Sequence, residues 1–558
     1  MLDKNHIVDI PVGAIVKSDR RVLWTIRKVY LKEKQYNQDS RRLIGKTVEA
    51  SRIKMYPNDN FIELFPDQYS SAVGRRPLPS SQSVGMYLAV KTIVERLPLY
   101  TLLSDVFGKH DADQIVDYAM YQIIYSTGVA QHYEACMEGK ALFSEKLRCD
   151  SFLSDFFRGS VDADRSSQFL DEWAPAIIKH KKMKKVYLNV DGTNLDDEAE
   201  GVTLKEKGHD KSGEDTTVVG VMYVVSPDGT GVFYHQYRGS VIDSTAVKYV
   251  YMFFKNLPVR IAGFCADRGF CTKAGTDHLR EMGCGFVLMM TSKPEGFTAA
   301  KDVLRDSIRN NMDKWIEGTE LFGDRTNLRM FKGDEADSYL HVFYDPARGG
   351  AGIKMLLRKV NNAAKRARNA IRKKKPVSIP PELQEYVHLR KGKGPRTVVI
   401  EYGSIQDAIN DKGFHVMATS EDMETMEAWK VYHSRDSSEK QYDIMKSEIG
   451  LDAYRSGSDE GIGGRQFVAF IAGIIRNELL VASRSLIEKT GRTDFYSVPA
   501  MIKELLAIRI KRLPGNEYAL VMDLSERDNT MLKELGITSD MLDECVATQN
   551  LRLKGRNR

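Results

Sequence analysis

The chain has 558 residues, 42% of them hydrophobic and 28% charged, with a formal net charge of +6. That length exceeds one simple core and predicts two to four domains. The composition is that of an ordinary globular protein. No uninterrupted run approaches the roughly 18 apolar residues of a membrane span, and residues 1–30 lack a signal core with a cleavage site, so a cytoplasmic protein is expected.

Six cysteines are present: Cys136, Cys149, Cys265, Cys271, Cys284 and Cys545. None forms a C-x2-C pair and no histidine cluster accompanies them. A zinc site and a disulfide scaffold are both disfavoured, and reduced, buried thiols are expected. The charge is unevenly spread. Arg20 to Lys54 holds 11 Lys/Arg against 3 Asp/Glu, and Arg358 to Arg396 holds 13 against 2. Two basic blocks in a nearly balanced protein point to a polyanion partner, with solvated basic linkers as the alternative.

In chain order, residues 1–75 alternate short β-like runs with polar turns. Val22–Leu31 and Arg41–Lys46 predict a small basic β-rich module. Gly45-Lys46-Thr47 has the tail of a phosphate-binding loop, but Ser40 stands where its first glycine belongs, so nucleotide binding is rejected. Residues 76–180 show helical spacing at Ser83–Arg96, Ala112–Ser126 and Ser166–His180, the last expected to break at Pro175. They predict a helical domain.

From residue 181 the pattern turns to strands. Val186–Val190 ends at Asp191-Gly192, and Thr216–Val225 and Gly231–Arg238 follow. Ser244–Lys255 reads as a helix, Arg260–Cys265 as a strand running into Asp267, Thr272–Met282 as a helix and Gly285–Thr291 as a strand. This β-β-β-α-β-α-β order over 181–297 predicts an α/β fold with a ribonuclease-H-like core. Residues 298–412 read as an inserted subdomain, with an amphipathic helix around Trp315, a strand at Tyr339–Tyr344 and the basic run Arg372, Lys373, Lys374, Lys375. The core resumes over 413–490 with a strand at Phe414–Thr419. Phe467–Ile487 reads as a buried helix. Residues 491–558 close the chain as a helical region, with a helix expected over Ser497–Leu513.

Between Ser420 and Glu448 there is no proline or glycine, and Gly450 supplies a stop signal, so one long helix is expected. At 100° per residue Tyr432, Arg435, Glu439 and Lys446 then share a stripe about 60° wide. A solvated polar face with an Arg435–Glu439 pair is the plain reading. Three carboxylates suggest more. Asp191 and Asp267 end strands that neighbour each other in the expected sheet, and Glu439 comes from a helix able to pack at the same end. Hard oxygen donors gathered in this way suit magnesium, and two such ions support in-line phosphoryl transfer. Taken singly, Asp191-Gly192 reads as a turn and Asp267 as a helix cap.

The combination resembles the DDE transposases of bacterial insertion sequences, in the branch with a Y-R-E-K signature. Tyr432, two residues, Arg435, three residues, Glu439, six residues, Lys446 matches all four positions and all three gaps. Asp191 in DGTN and Asp267 in ADRGF match the family's first two acids. The segments GHDKSGEDTTVVGVMYVV and GSVIDST also look like the family's. One departure is Asp436-Ser437-Ser438 in the Arg–Glu gap, where relatives often carry an aromatic residue or Gln. The resemblance covers about residues 20 to 540. It implies cleavage of double-stranded DNA at terminal inverted repeats and strand transfer to a target, within a homodimeric synaptic complex. It implies two Mg2+ ions (Mn2+ substituting) on Asp191, Asp267 and Glu439, with Tyr432, Arg435 and Lys446 on DNA phosphates. Some relatives hold a base-stabilising Trp in an inserted subdomain; Trp315, alone in this insertion, reads first as a core residue. A catalytically inactive DNA-binding relative and a nuclease that cuts without joining are the competing readings.

Overall fold

A computed structural model describes residues 2–3, 6–31, 36–49, 51, 53–65, 80–183, 186–196, 201–207, 217–390, 396–451, 453–454, 456–513, 517–521 and 523–556; the side chains of 27–31, 36–39, 63, 196, 438, 439 and 553–556 fall outside that description. The chain divides into two compact units. One comprises residues 1–173, 196–203 and 443–558, the other 174–195 and 204–442.

The second unit is mixed α/β around a nine-stranded sheet. Its strands are β1 (Tyr187–Asp196), β2 (Glu206–Lys207), β3 (Thr217–Val225), β4 (Gly231–Arg238), β5 (Gly263–Ala266), β6 (Gly285–Met289), β7 (Phe322–Leu328), β8 (Ser338–Tyr344) and β9 (Phe414–Thr419). Their order across the sheet is β4-β3-β1-β5-β6-β9-β8-β7, with β2 paired to β3. β1, β5 and β6 run parallel, while β3–β4, β6–β9, β9–β8 and β8–β7 are antiparallel. The sequence dictates this directly. TVVGVMYVV in β3 is rich in β-branched residues and is buried from Val218 to Val225, as a strand covered on both faces must be. Helices Asp243–Asn256 and Lys273–Glu281 fill the β4–β5 and β5–β6 connections.

The stretch 298–412, expected throughout as an inserted subdomain, contributes β7 and β8 to this same sheet. Part of the remainder forms its own small core, in which helix Pro346–Arg372 packs Leu356, Val360 and Ala364 against Val387 and Ile405. From Pro346 to Lys375 the sequence holds eleven Lys/Arg and no acid. The spacing of buried small and aliphatic residues leaves the bases facing outward, and Arg372, Lys373, Lys374 and Lys375 are all exposed.

The first unit holds a five-stranded N-terminal sheet, with a core of Val8, Val22, Ile44, Met55 and Phe61. Gly45-Lys46-Thr47 lies in its strand Tyr36–Thr47, not in a loop. Helices Gly85–Arg96, Lys109–Tyr125 and Asp150–Gly159 follow. Helix Asp459–Thr490 is long and apolar enough to cross a membrane, and 83% of its most apolar window is buried inside the protein. It is the core helix that its apolar sequence predicts. Of the six cysteines, all free, four are buried.

Several local expectations are corrected. Pro175 lies inside a continuous helix, Ala163–His180. Trp315 follows a 3-10 turn, Met312–Lys314, instead of occupying a helix. The residue is 43% exposed, and its Nε1 donates to the Thr319 carbonyl at 2.7 Å, so it is not a core residue. The helix expected over Ser497–Leu513 ends at Ala507 and gives way to a strand, Arg509–Arg512. The largest correction falls on the signature segment. Ser420–Glu448 is not one helix but helix Thr425–His433, a turn at Ser434-Arg435, helix Asp436–Asp443 and a π-helical turn Ile444–Glu448. Gly450, at φ +73°, adopts the left-handed backbone that makes it a stop.

Candidate active site

The site begins with strand register. β1 and β5 pair in parallel, with Ala266 opposite Val190. Asp191, the next residue of β1, and Asp267, the first residue beyond the end of β5, therefore follow at level positions, one strand spacing of about 4.8 Å apart in the backbone. Neither acid is consumed by the plain role expected of it. Asp191 sits within β1, not in a turn, and its Oδ1 accepts the Gly192 N–H at 2.8 Å. Asp267 precedes the 3-10 turn Arg268–Phe270 but makes no side-chain cap there.

The broken signature helix is tied to β1 by several polar contacts. Asn189, buried two residues before Asp191, donates from Nδ2 to the Ser434 carbonyl at 2.9 Å and to Ser437 Oγ at 3.0 Å. Ser437 Oγ donates in turn to the Ser226 carbonyl at 3.2 Å. The Tyr442 hydroxyl donates to the main-chain carbonyl of Asp191, and the Tyr442 ring meets Tyr223 edge-on at 5.7 Å. A buried amide must be satisfied, and the Ser434 carbonyl accepts both the Asn189 amide and, at 3.0 Å, the Ser437 N–H, the tight i,i+3 bond that follows the turn at Ser434-Arg435. Ser437, which departs from the family pattern, is a working part of that contact.

Two signature residues meet the aspartates. The Tyr432 hydroxyl donates to Asp267 Oδ1 at 3.1 Å. Burial pushes its pKa up, and the Asp267 charge adds to this, so it remains a proton donor through the neutral range. Arg435 Nη1 lies 3.8 Å from Asp191 Oδ2, and its guanidinium stands 5.5 Å from the Tyr432 ring centre. The expected Arg435–Glu439 pair falls on the Glu439 side chain, which lies outside the described residues. Below the site, burial raises the Cys265 thiol to about 12, with Arg435 opposing and Asp267 adding to the shift. Cys265 is therefore a neutral core thiol in the β5 strand.

No protein-family model and no curated protein matches this chain. The geometry alone carries the reading.

The single stripe of four residues does not survive the break in the helix. Tyr432 and Arg435 come together on the aspartates. Glu439 lies in helix Asp436–Asp443, three residues before Tyr442, whose hydroxyl reaches the Asp191 backbone. Lys446 lies in the π-helical turn, within the other compact unit. Arg372, Lys373, Lys374 and Lys375 lie at the end of the basic helix, remote in sequence from the aspartates. Residues 208–216, which carry part of the family-like segment after Asp191, lie outside the described residues. Among the described residues no three His, Cys, Asp or Glu side chains group as metal ligands. The donor set that is described is two level carboxylates flanked by a phenol and a guanidinium. Hard, anionic oxygens of this kind fit a divalent cation such as Mg2+. Asn189, Ser437 and Tyr442 are positioning residues that sequence reasoning passed over. The signal for Tyr442 was its place one helical turn beyond Glu439; Asn189 carried a β-strand period, two residues before Asp191.

Proposed function

We propose that the chain is a DDE-type transposase with a ribonuclease-H-like core, cutting double-stranded DNA at the inverted repeats of a mobile element and joining the ends to a target in the bacterial cytoplasm. The observation that carries this reading is the β1–β5 register, which aligns Asp191 with Asp267 beneath Tyr432 and Arg435. The β4-β3-β1-β5-β6 order, with helices in the β4–β5 and β5–β6 connections, supports the ribonuclease-H-like core.

In this reading Asp191, Asp267 and Glu439 hold two Mg2+ ions. When bound, such ions lower the pKa of an attacking water or 3′-hydroxyl and neutralise charge on the leaving oxygen. The protein's own groups orient the reactants. Arg435 leaves its long contact with Asp191 and offers a forked donor to a phosphate. Tyr432 holds the Asp267 carboxylate in place. Asn189 and Tyr442 fix the helix that carries Glu439 against β1. Lys446 adds a point charge on a phosphate near the cut, and a second copy of the chain completes the synaptic complex. The direct test is incubation with end-containing DNA and Mg2+, reading both nicked and joined products. Joined product supports a transposase, and nicks without joining support a nuclease.

Two expected outcomes attach to the outlying cations. Lys446→Ala lowers strand transfer by about tenfold, the value of one charge-assisted hydrogen bond to a phosphate, while its thermal midpoint stays within about 2 °C of wild type; a drop like that of a core mutation contradicts a DNA-contacting role. Neutralising Arg372, Lys373, Lys374 and Lys375 together weakens DNA binding. It also flattens the dependence of log K on log salt by up to about four, one for each phosphate no longer neutralised. An unchanged slope identifies the run as a solvated surface.

A further inference from the structure

Asp243 opens the helix Asp243–Asn256 and has no part in the chemistry above. Its carboxylate lies against the Cα of Gly192. A Cβ at Gly192 would stand 2.7 Å from Asp243 Cγ and Oδ2, closer than packed atoms allow. Gly192 is the residue whose N–H fixes Asp191 Oδ1. On its other side Asp243 Oδ1 accepts the Tyr237 hydroxyl at 2.6 Å. The Tyr237 ring covers Gly220, where a Cβ would come within 2.2 Å of Cε2. A continuous line of close contacts thus runs from Gly220 through Tyr237, Asp243 and Gly192 to Asp191. Burial pushes the Tyr237 pKa upward, and the charges of Asp243 and Asp191 push it further. The phenol therefore stays protonated and keeps donating.

An acid in the first turn of a helix has a plain explanation in the helix dipole. The dipole requires neither a phenol on the carboxylate nor a glycine beneath it. We propose that Asp243, anchored by Tyr237, is a positioning residue for Asp191: it seats the Asp191–Gly192 peptide so that the Asp191 carboxylate faces Asp267 across β1 and β5. The proposal rests on the reading of Asp191 and Asp267 as cation ligands. Groups that orient a metal ligand affect binding strongly; their removal costs about 10- to 100-fold in affinity.

The experiment titrates the full chain with Mn2+ by electron paramagnetic resonance and follows thermal unfolding in parallel. Asp243→Ala weakens Mn2+ binding about 10- to 100-fold, and Gly192→Ala, whose Cβ displaces the carboxylate, does the same. Asp243→Asn keeps the volume and the acceptor for Tyr237, and restores affinity to within about threefold of wild type, since the position and not the charge is what matters. Wild-type affinity in Asp243→Ala overturns the proposal. So does an Asp243→Asn protein as weak as Asp243→Ala. If Asp243→Ala does not fold, Tyr237→Phe carries the test: it lacks only the anchoring oxygen, and wild-type affinity there is equally fatal. Asp191→Asn is the control. If wild type binds Mn2+ no better than Asp191→Asn, the cation-site reading itself fails, a result distinct from failure of Asp243 alone.

Discussion

Asp191→Asn, Asp267→Asn and Glu439→Gln each lower DNA cleavage by at least about 10³-fold, which corresponds to ~4 kcal/mol of transition-state stabilisation. Each substitution keeps side-chain volume and removes one anionic oxygen. The argument is electrostatic. Two carboxylates at about 4 Å repel by ~4 kcal/mol at an effective dielectric of 20, and a divalent cation turns that repulsion into attraction. Arg435, 3.8 Å from Asp191 Oδ2, offsets part of it in the protein as described. Removing one charge weakens the cation's hold and so the activation of the attacking oxygen. DNA binding is expected to persist, because the long basic helix lies on a separate small core. The measurement is a cleavage time course beside a binding isotherm on the same DNA. Wild-type cutting by any one variant removes that residue from the catalytic set.

Gly263→Val destabilises the second unit by about 3 kcal/mol or more, at the severe end for a point substitution. For a unit of this size that corresponds to about 6–12 °C in thermal midpoint. Gly263 lies opposite Gly285 in the parallel β5–β6 pair. A Cβ there would come within 1.9 Å of the Gly285 carbonyl oxygen and 2.7 Å of its Cα. Those neighbours are backbone atoms and cannot rotate away. The strand must shift or part, and β5 is the strand that holds Asp267 level with Asp191. Loss of cleavage is therefore expected alongside the loss of stability. Differential scanning calorimetry of the full chain measures the first and the cleavage assay the second. A variant that melts with the wild type contradicts the close approach of β5 and β6.

Most strands of the large sheet are legible because each is a short apolar run closed by turn residues; β2 (EK) and β7 (FGDRTNL) hold no such run and are not expected from the sequence. Expected Gly231–Arg238 and Phe414–Thr419 match the observed strands, while Arg260–Cys265 was placed early and is Gly263–Ala266. That was enough to put Asp191 and Asp267 at adjoining strand positions. The signature helix was misread for the opposite reason. Nothing local marks a break in Ser420–Glu448; the turn at Ser434-Arg435 is where Asn189, more than 240 residues away in sequence, donates to the Ser434 carbonyl. With that turn in place, the helical arithmetic that joins Lys446 to Tyr432 fails. Pro175 errs the other way: the helix Ala163–His180 runs through it, with Trp173, Ala174, Ile177 and Ile178 all buried around it. Residue type alone points Trp315 to a core, and it does not report the turn that leaves the residue half exposed. Asp243 stands out in the sequence only as part of GSVIDST, because its significance depends on what Gly192 and Gly220 lack, which no single position reveals.

The central claim is that Asp191 and Asp267 face one another as ligands of a divalent cation. A crystal of the full chain soaked in Mn2+, with anomalous differences recorded at the manganese edge, tests it most directly. The account predicts a peak between the two carboxylates, within about 2.0–2.3 Å of an oxygen from each, that disappears in Asp191→Asn. Strong manganese peaks elsewhere, with none between Asp191 and Asp267, would contradict it.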